Sequence, residues 1–139
     1  MVCLALLAQS IPMPTHATTA LPPCPGTPNC VSTEATRDAQ RVPTVPFTDA
    51  PASALARAKA ALAAEPRTRI TVEREGHLRA ECTSFLFRFV DDVDIVVDAA
   101  ARVYRFRSAS RVGRSDLGVN RKRVARLAAR LALPSTSLD

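Results

Sequence analysis

The sequence predicts an α+β fold, a single domain in which a four- to five-stranded antiparallel sheet carries an N-terminal and a C-terminal helix on one face. Three observations predict it. Ala and Leu recur at helical spacing between Asp49 and Pro66; apolar and polar residues then alternate from Ile70 to Arg107; and Val124, Leu127 and Leu131 close the chain with a second helical period. The connections between the alternating segments are short, which suits hairpins and excludes the long crossovers of a parallel sheet. At 139 residues the chain has room for one domain with a substantial core.

Taken in order, residues 1–20 carry no Asp, Glu, Lys or Arg, and MVCLALLA followed by small and polar residues reads as a signal peptide. Its apolar run is far below the roughly 20 residues that span a bilayer, so no transmembrane segment is expected. Export, to a periplasm or out of the cell, follows from this reading. Residues 21–48 form a Pro-rich extended arm: nine of the eleven prolines lie between positions 12 and 51, and Val42, Val45 and Phe47 lie along the folded part. The α+β domain is expected over 49–133 and a short tail over 134–139.

Removal of the leader leaves Cys24, Cys30 and Cys82. CPGTPNC is rich in turn residues, and in an exported chain the ends of such a segment close naturally into a disulfide between Cys24 and Cys30. A loop this short contributes only ~2 kcal/mol, so the bridge pins the arm locally. Free thiols and a metal site are the alternatives, but zinc ligands usually lie two to four residues apart and only His77 and Cys82 remain as partners. No metal and no cofactor are expected. Cys82 alternates with Leu78 and Ala80 and reads as a small buried hydrophobe.

Within the domain, Leu55, Ala58 and Leu62 mark one face of a helix that Pro51 opens and Glu65-Pro66 ends. Ile70 and Val72, a Glu75-Gly76 turn, and Leu78, Ala80 and Cys82 make a hairpin. Phe85, Phe87 and Phe89 share one parity and predict a strand, followed after a bend by another through Val93, Ile95 and Val97. Tyr104 and Phe106, alternating with Arg105 and Arg107, predict the last strand.

The final segment, FRSASRVGRSDLGVNRKRVARL, gathers six Arg and one Lys around two glycines. Residues 101–139 hold ten basic residues against Asp116 and Asp139, so the net charge of +6 is local to this end of the sequence. Asn120 has two readings: buried at the centre of the apolar helix face, or N-cap of the helix, the second being preferred. As N-cap it puts Arg121, Lys122 and Arg123 in the first turn, against the helix dipole, where an anion or a carboxylate such as Asp116 reverses the sign. Arg111, Arg121 and the helix N–H groups then converge as donors for a small anion or a carboxylate-bearing partner, with Ser108, Ser110 and Ser115 as neutral donors and Gly113 allowing close approach. The competing reading is a satisfied network of Arg111, Asp116 and Asn120 that only fixes the loop.

Other function classes fare worse. No Ser-His or Cys-His pairing suits catalysis, since His16 lies in the leader and His77 follows a turn where a solvated ring is ordinary. Asp92, Asp94 and Asp98 fall on the outward parity of a strand and read as a solvated acidic face. No catalytic residue is assigned, although an enzyme using the Asp/Arg/Ser cluster stays as an alternative. Lys122, Arg123, Arg126 and Arg130 share a basic helix face that reads as solvated at least for Arg126 and Arg130; no nucleic-acid motif is present, and the sheet phenylalanines have core-like spacing, so nucleic acid is not expected. An anionic membrane surface fits the same basic face and the compartment.

Three segments together, CPGTPNCVS, TSFLFRFVDDVD and SASRVGRSDLGVNRKRV, resemble the signature segments of the bacterial and plastid family called domain of unknown function 1499, from Cys24 to about Leu131. The resemblance implies a small stand-alone domain, often exported, and brings no catalytic assignment. By similarity, the motif positions are Cys24, Asn29, Cys30, Arg88, Asp91, Asp92, Ser108, Ser110, Arg111, Gly113, Ser115, Asp116, Gly118, Asn120 and Arg121. The ligand-binding set expected from the residues and the resemblance together is Arg88, Ser108, Ser110, Arg111, Ser115, Asp116, Asn120 and Arg121.

Overall fold

The structure, a computed structural model, describes residues 19–133; the expected leader, apart from Thr19 and Ala20, and the expected tail lie outside the described residues. Strands β1 (Cys30–Ser32) and β2 (Val45–Pro46) precede helix α1 (Pro51–Ala63). The hairpin β3 (Thr68–Arg74) and β4 (His77–Thr83), strands β5 (Val90–Asp98) and β6 (Val103–Ser110), and helix α2 (Val119–Ala132) follow. All strand pairings are antiparallel, in the order β1-β6-β5-β4-β3, with β2 sharing the outer edge of β6 beside β1.

The sheet therefore has six strands, where the sequence predicts four to five. The arm supplies the difference. β1 lies opposite Arg107–Ala109 and β2 opposite Val103 and Tyr104, so the first helix follows two strands instead of opening the fold. Segments of three and two residues are too short to show a period, and the arm's apolar residues, Val31 and Val45 in these strands and Val42 and Phe47 beside them, are buried in the core itself.

A second expectation fails at Phe85, Phe87 and Phe89, which form no strand. Ser84 closes a loop by donating its N–H to Phe89 O at 2.8 Å and accepting from Phe89 N at its hydroxyl, while Thr83 already sits opposite Val90. With β4 paired directly to β5, residues 85–89 have no partner edge, and the three rings are 78, 69 and 52 % exposed.

Both helices pack on one face of the sheet. Leu78, Ala80 and Cys82 of β4, Val93, Ile95 and Val97 of β5, and Tyr104 and Phe106 of β6 meet Ala54, Ala58 and Leu62 of α1 and Val124, Leu127 and Leu131 of α2. The alanines of α1 let its backbone come close enough for the buried Tyr104 hydroxyl to donate to Ala54 O at 2.8 Å. Burial there pushes the Tyr104 pKa up to about 12.

The opposite face is partly roofed by the arm. Arg105 donates to Thr19 O and Arg107 to Pro23 O, while Leu21 is buried. Cys24 and Cys30 are disulfide-bonded, their Cα atoms 5.7 Å apart, which ties the start of β1 to this strap. Cys82 is free and buried, and burial raises its thiol pKa. Asp94 lies on this face but is fully buried, accepting from His77 Nε2 at 2.8 Å and Arg79 Nε at 2.9 Å. The solvated acidic face expected from parity is thus wrong at Asp94, and the His77 ring is paired: parity assigns a face but not what covers it. Among the described residues no helix is long and apolar enough to cross a membrane.

Candidate functional site

The site region is built where β5 and β6 end against the first turns of α2. Alternation along β6 turns Tyr104, Phe106, Ser108 and Ser110 toward the helices, and the same parity on β5 turns Asp91 inward with Val93 and Ile95. On α2, Asn120, Arg123, Val124, Leu127 and Leu131 form the buried face.

Polar groups brought together this way satisfy one another. The Ser108 hydroxyl donates to Asn120 Oδ1 at 2.6 Å, and Arg123 Nη1 donates to the same oxygen at 2.9 Å. Arg123 Nη2 donates to Asp91 Oδ2 at 2.8 Å, with both side chains more than nine-tenths buried. Asn120 Nδ2 donates to Asp116 Oδ2 at 2.7 Å, to Ser110 Oγ at 2.9 Å and to Asn29 O at 3.3 Å. Asn29 reaches back from the disulfide loop to Gly113 O at 2.7 Å. One fully buried asparagine thus joins helix, strand and arm.

Asn120 is therefore the buried residue of the two readings and not the N-cap. Gly118, at φ 79°, occupies the cap position, and its lack of Cβ suits that left-handed turn. The capping side chain is Asp116, which accepts from Gly118 N at 2.9 Å and Asn120 N at 3.0 Å. Burial works against its ionisation, but these bonds outweigh burial and hold its pKa below the usual carboxylate value. A carboxylate at the helix start also offsets the unfavourable basic first turn.

Arg111 points away from this network. It donates through Nε and Nη2 to Asp92 at 2.9 and 2.8 Å and through Nη2 to Glu81 at 2.8 Å. Its guanidinium holds the Asp92 and Glu81 carboxyls below their ordinary values. Arg121 donates to Ala39 O, inside the short 3-10 turn Asp38–Gln40, and to Arg41 O just after it. Ser115 is exposed and accepts from Leu117 N at 3.4 Å.

Of the expected set, Ser108, Ser110, Asp116 and Asn120 converge; Arg111, Arg121 and Arg88 do not join them. Arg88 sits in the exposed β4–β5 loop. The sequence groups Arg123 with Lys122, Arg126 and Arg130 on one basic face, whereas it is the buried partner of Asp91. Its spacing carried the signal: three residues after Asn120 and four before Leu127, it shares the apolar face. The residual chemistry is limited. His77 and Asp94 make the orienting half of a catalytic arrangement, but no serine, threonine or cysteine is bonded to the ring among the described residues, and no group of metal-ligating side chains is found there.

Residues 20–131 match the family model described as "Protein of unknown function (DUF1499)". No curated protein matches the chain.

Proposed function

The chain belongs to the family described as DUF1499, and from that premise, which supplies no activity, we propose that it is an exported binding module for an anionic partner. The binding surface is the end of the sheet where β4 turns into β5 and β6 runs into α2. One observation carries the reading: positive charge is left over at this end. Glu81 and Asp92 engage Arg111, Asp91 engages Arg123, and Asp116 caps α2. Arg88, Arg114 and Lys122 are exposed and have no acidic partner among the described residues. The buried Ser108–Asn120–Arg123 network, with Ser110, is framework that holds this end rigid; of the expected ligand set Arg88, Arg111, Ser115 and Arg121 are exposed, and with Arg111 held by Asp92 and Glu81 and Arg121 by backbone carbonyls, Arg88 is the arginine of that set left without a side-chain partner among the described residues.

Titration with inorganic polyphosphate at low and at high salt tests the surface. Salt-sensitive binding that Arg88→Glu with Arg114→Glu abolishes is the expected result. Wild-type protein that gives no heat and no shift in Tm overturns the reading. Export is supported by the uncharged apolar start and by the Cys24–Cys30 bond, which suits an oxidising compartment. N-terminal sequencing of protein from its host is expected to begin near Leu21; a chain that retains Met1 overturns export.

A further inference from the structure

The same end of the sheet carries apolar groups that folding does not explain. Phe85, Leu86, Phe87 and Phe89 are 78, 73, 69 and 52 % exposed, and Leu117 is 88 % exposed. The two loops leave the sheet together, since Arg111 N donates to Val90 O directly beyond the β4–β5 turn. Leu117 also holds φ at 53°, in the left-handed region that disfavours a side chain of its shape. A large apolar residue kept both exposed and strained works against stability, as does a run of four exposed apolar side chains in one loop.

Around these groups stands a collar of arginines. The Arg67 guanidinium lies 5.6 Å from the centroid of the Phe85 ring and donates to Thr83 O at the base of the loop. Arg88 interrupts the apolar run, the rings of Phe87 and Phe89 stack at 5.6 Å, and Arg114 lies in the neighbouring loop. Side chains this exposed project outward and do not line a groove, so they offer a partner protein no pocket. A bilayer surface demands no shape complementarity: it takes apolar tips below the headgroups and cations at the level of anionic headgroups, where long Arg side chains reach outward.

We infer that the anionic partner is the surface of a lipid bilayer, entered by Phe85, Leu86, Phe87, Phe89 and Leu117 and held at the headgroups by Arg67, Arg88 and Arg114. The inference rests on the reading of the basic sheet end above and adds to it an apolar anchor.

The test uses protein purified from its host, vesicles of phosphatidylcholine with phosphatidylglycerol, and vesicles of phosphatidylcholine alone, read by co-sedimentation. Wild type is expected on the anionic vesicles and largely free of the neutral ones. Phe85→Ser with Phe87→Ser removes two exposed rings, so Tm is expected unchanged and polyphosphate binding kept, while affinity for anionic vesicles falls by roughly tenfold or more. In a Phe87→Trp variant, indole emission is expected to shift to the blue on anionic vesicles. Equal vesicle binding by the double-serine variant and wild type, with no shift in emission, overturns insertion and leaves the anion-binding reading standing. Wild type that ignores both vesicles and polyphosphate overturns both. A wild type that self-associates through the phenylalanines and ignores vesicles overturns the inference in favour of a second copy of the chain.

Discussion

Removing the Arg123 side chain isolates the energetic role of the buried network. Arg123 and Asp91 have side chains 7 and 8 % exposed and meet at 2.8 Å. Arg123→Ala leaves the Asp91 carboxylate in the core without its guanidinium, and breaking such a pair from one side costs about 3–5 kcal/mol. For a domain of this size each kcal/mol is worth roughly 4 °C or more, so Tm is expected to fall by about 12–20 °C. The control removes both charges: Asp91→Leu with Arg123→Met strands no ion, and most of the loss is expected to return. Asn120 Oδ1 still receives the Ser108 hydroxyl in that variant. Urea unfolding followed by circular dichroism, run as a double-mutant cycle, measures the terms. A single-variant cost under ~1 kcal/mol, or a double variant no more stable than the single, refutes the reasoning. If Arg123→Ala does not fold at neutral pH while the double variant does, the expectation is met in its extreme form.

Arg111→Ala is expected to cost far less than Arg123→Ala, because the Arg111 side chain is 46 % exposed and water replaces its partnership with Asp92 and Glu81; the same unfolding assay checks this, and a loss matching that of Arg123→Ala contradicts the assignment of framework to Arg123. Acid lowers stability through Asp92, Asp116 and Glu65. Arg111 lowers Asp92, backbone bonds to Asn120 and Gly118 outweigh burial at Asp116, and Arg126 and Arg130 outweigh burial at Glu65. With folded pKa values below the ordinary 3.8 and 4.5, the folded state binds fewer protons than the unfolded one. The stabilisation is complete above the ordinary values and drains away as pH falls through the lowered ones. Thermal melts between about pH 6 and pH 2 are expected to show a flat Tm that drops below about pH 4.5, and a Tm unchanged across that range contradicts the carboxylate geometry. Alkylation of the unreduced protein in denaturant, read by intact mass, is expected to label Cys82 and spare Cys24 and Cys30. Without denaturant Cys82 is expected to stay unlabelled, because it is buried and its thiol pKa is raised.

Period and turn chemistry were enough to place what local sequence controls. Leu78, Ala80 and Cys82, then Val93, Ile95 and Val97, then Tyr104 and Phe106 alternate because each strand has one face on the core, and that alternation is written in the residues themselves. The bond between Cys24 and Cys30 was legible for the same local reason, a turn-rich loop whose ends meet. The polar cluster was half legible. Ser108, Ser110, Asp116 and Asn120 stood out as polar residues around a glycine break, but which of them is cap and which is core depends on where the helix begins, and that is fixed by Gly118 and by contact with β6.

Tertiary structure decided everything that needs a partner distant in sequence. Strands β1 and β2 exist only because the edge of β6 offers them backbone groups to bond, so no pattern in the arm announced them. Asp94 is buried with His77 and Arg79 of the neighbouring strand bonded to it, and Arg123 of α2 is buried because Asp91, on β5, waits where its guanidinium arrives. Phe85, Phe87 and Phe89 make the converse case. Their alternation states a strand as clearly as any in the chain, yet β4 and β5 join directly and leave them no edge. Sequence by itself determined the class of fold and the parity of each strand, which are properties of a segment and its own side chains. Only the assembled structure decided whether a given face meets protein or water, because burial belongs to pairs of surfaces, and the second surface is never in the segment being read.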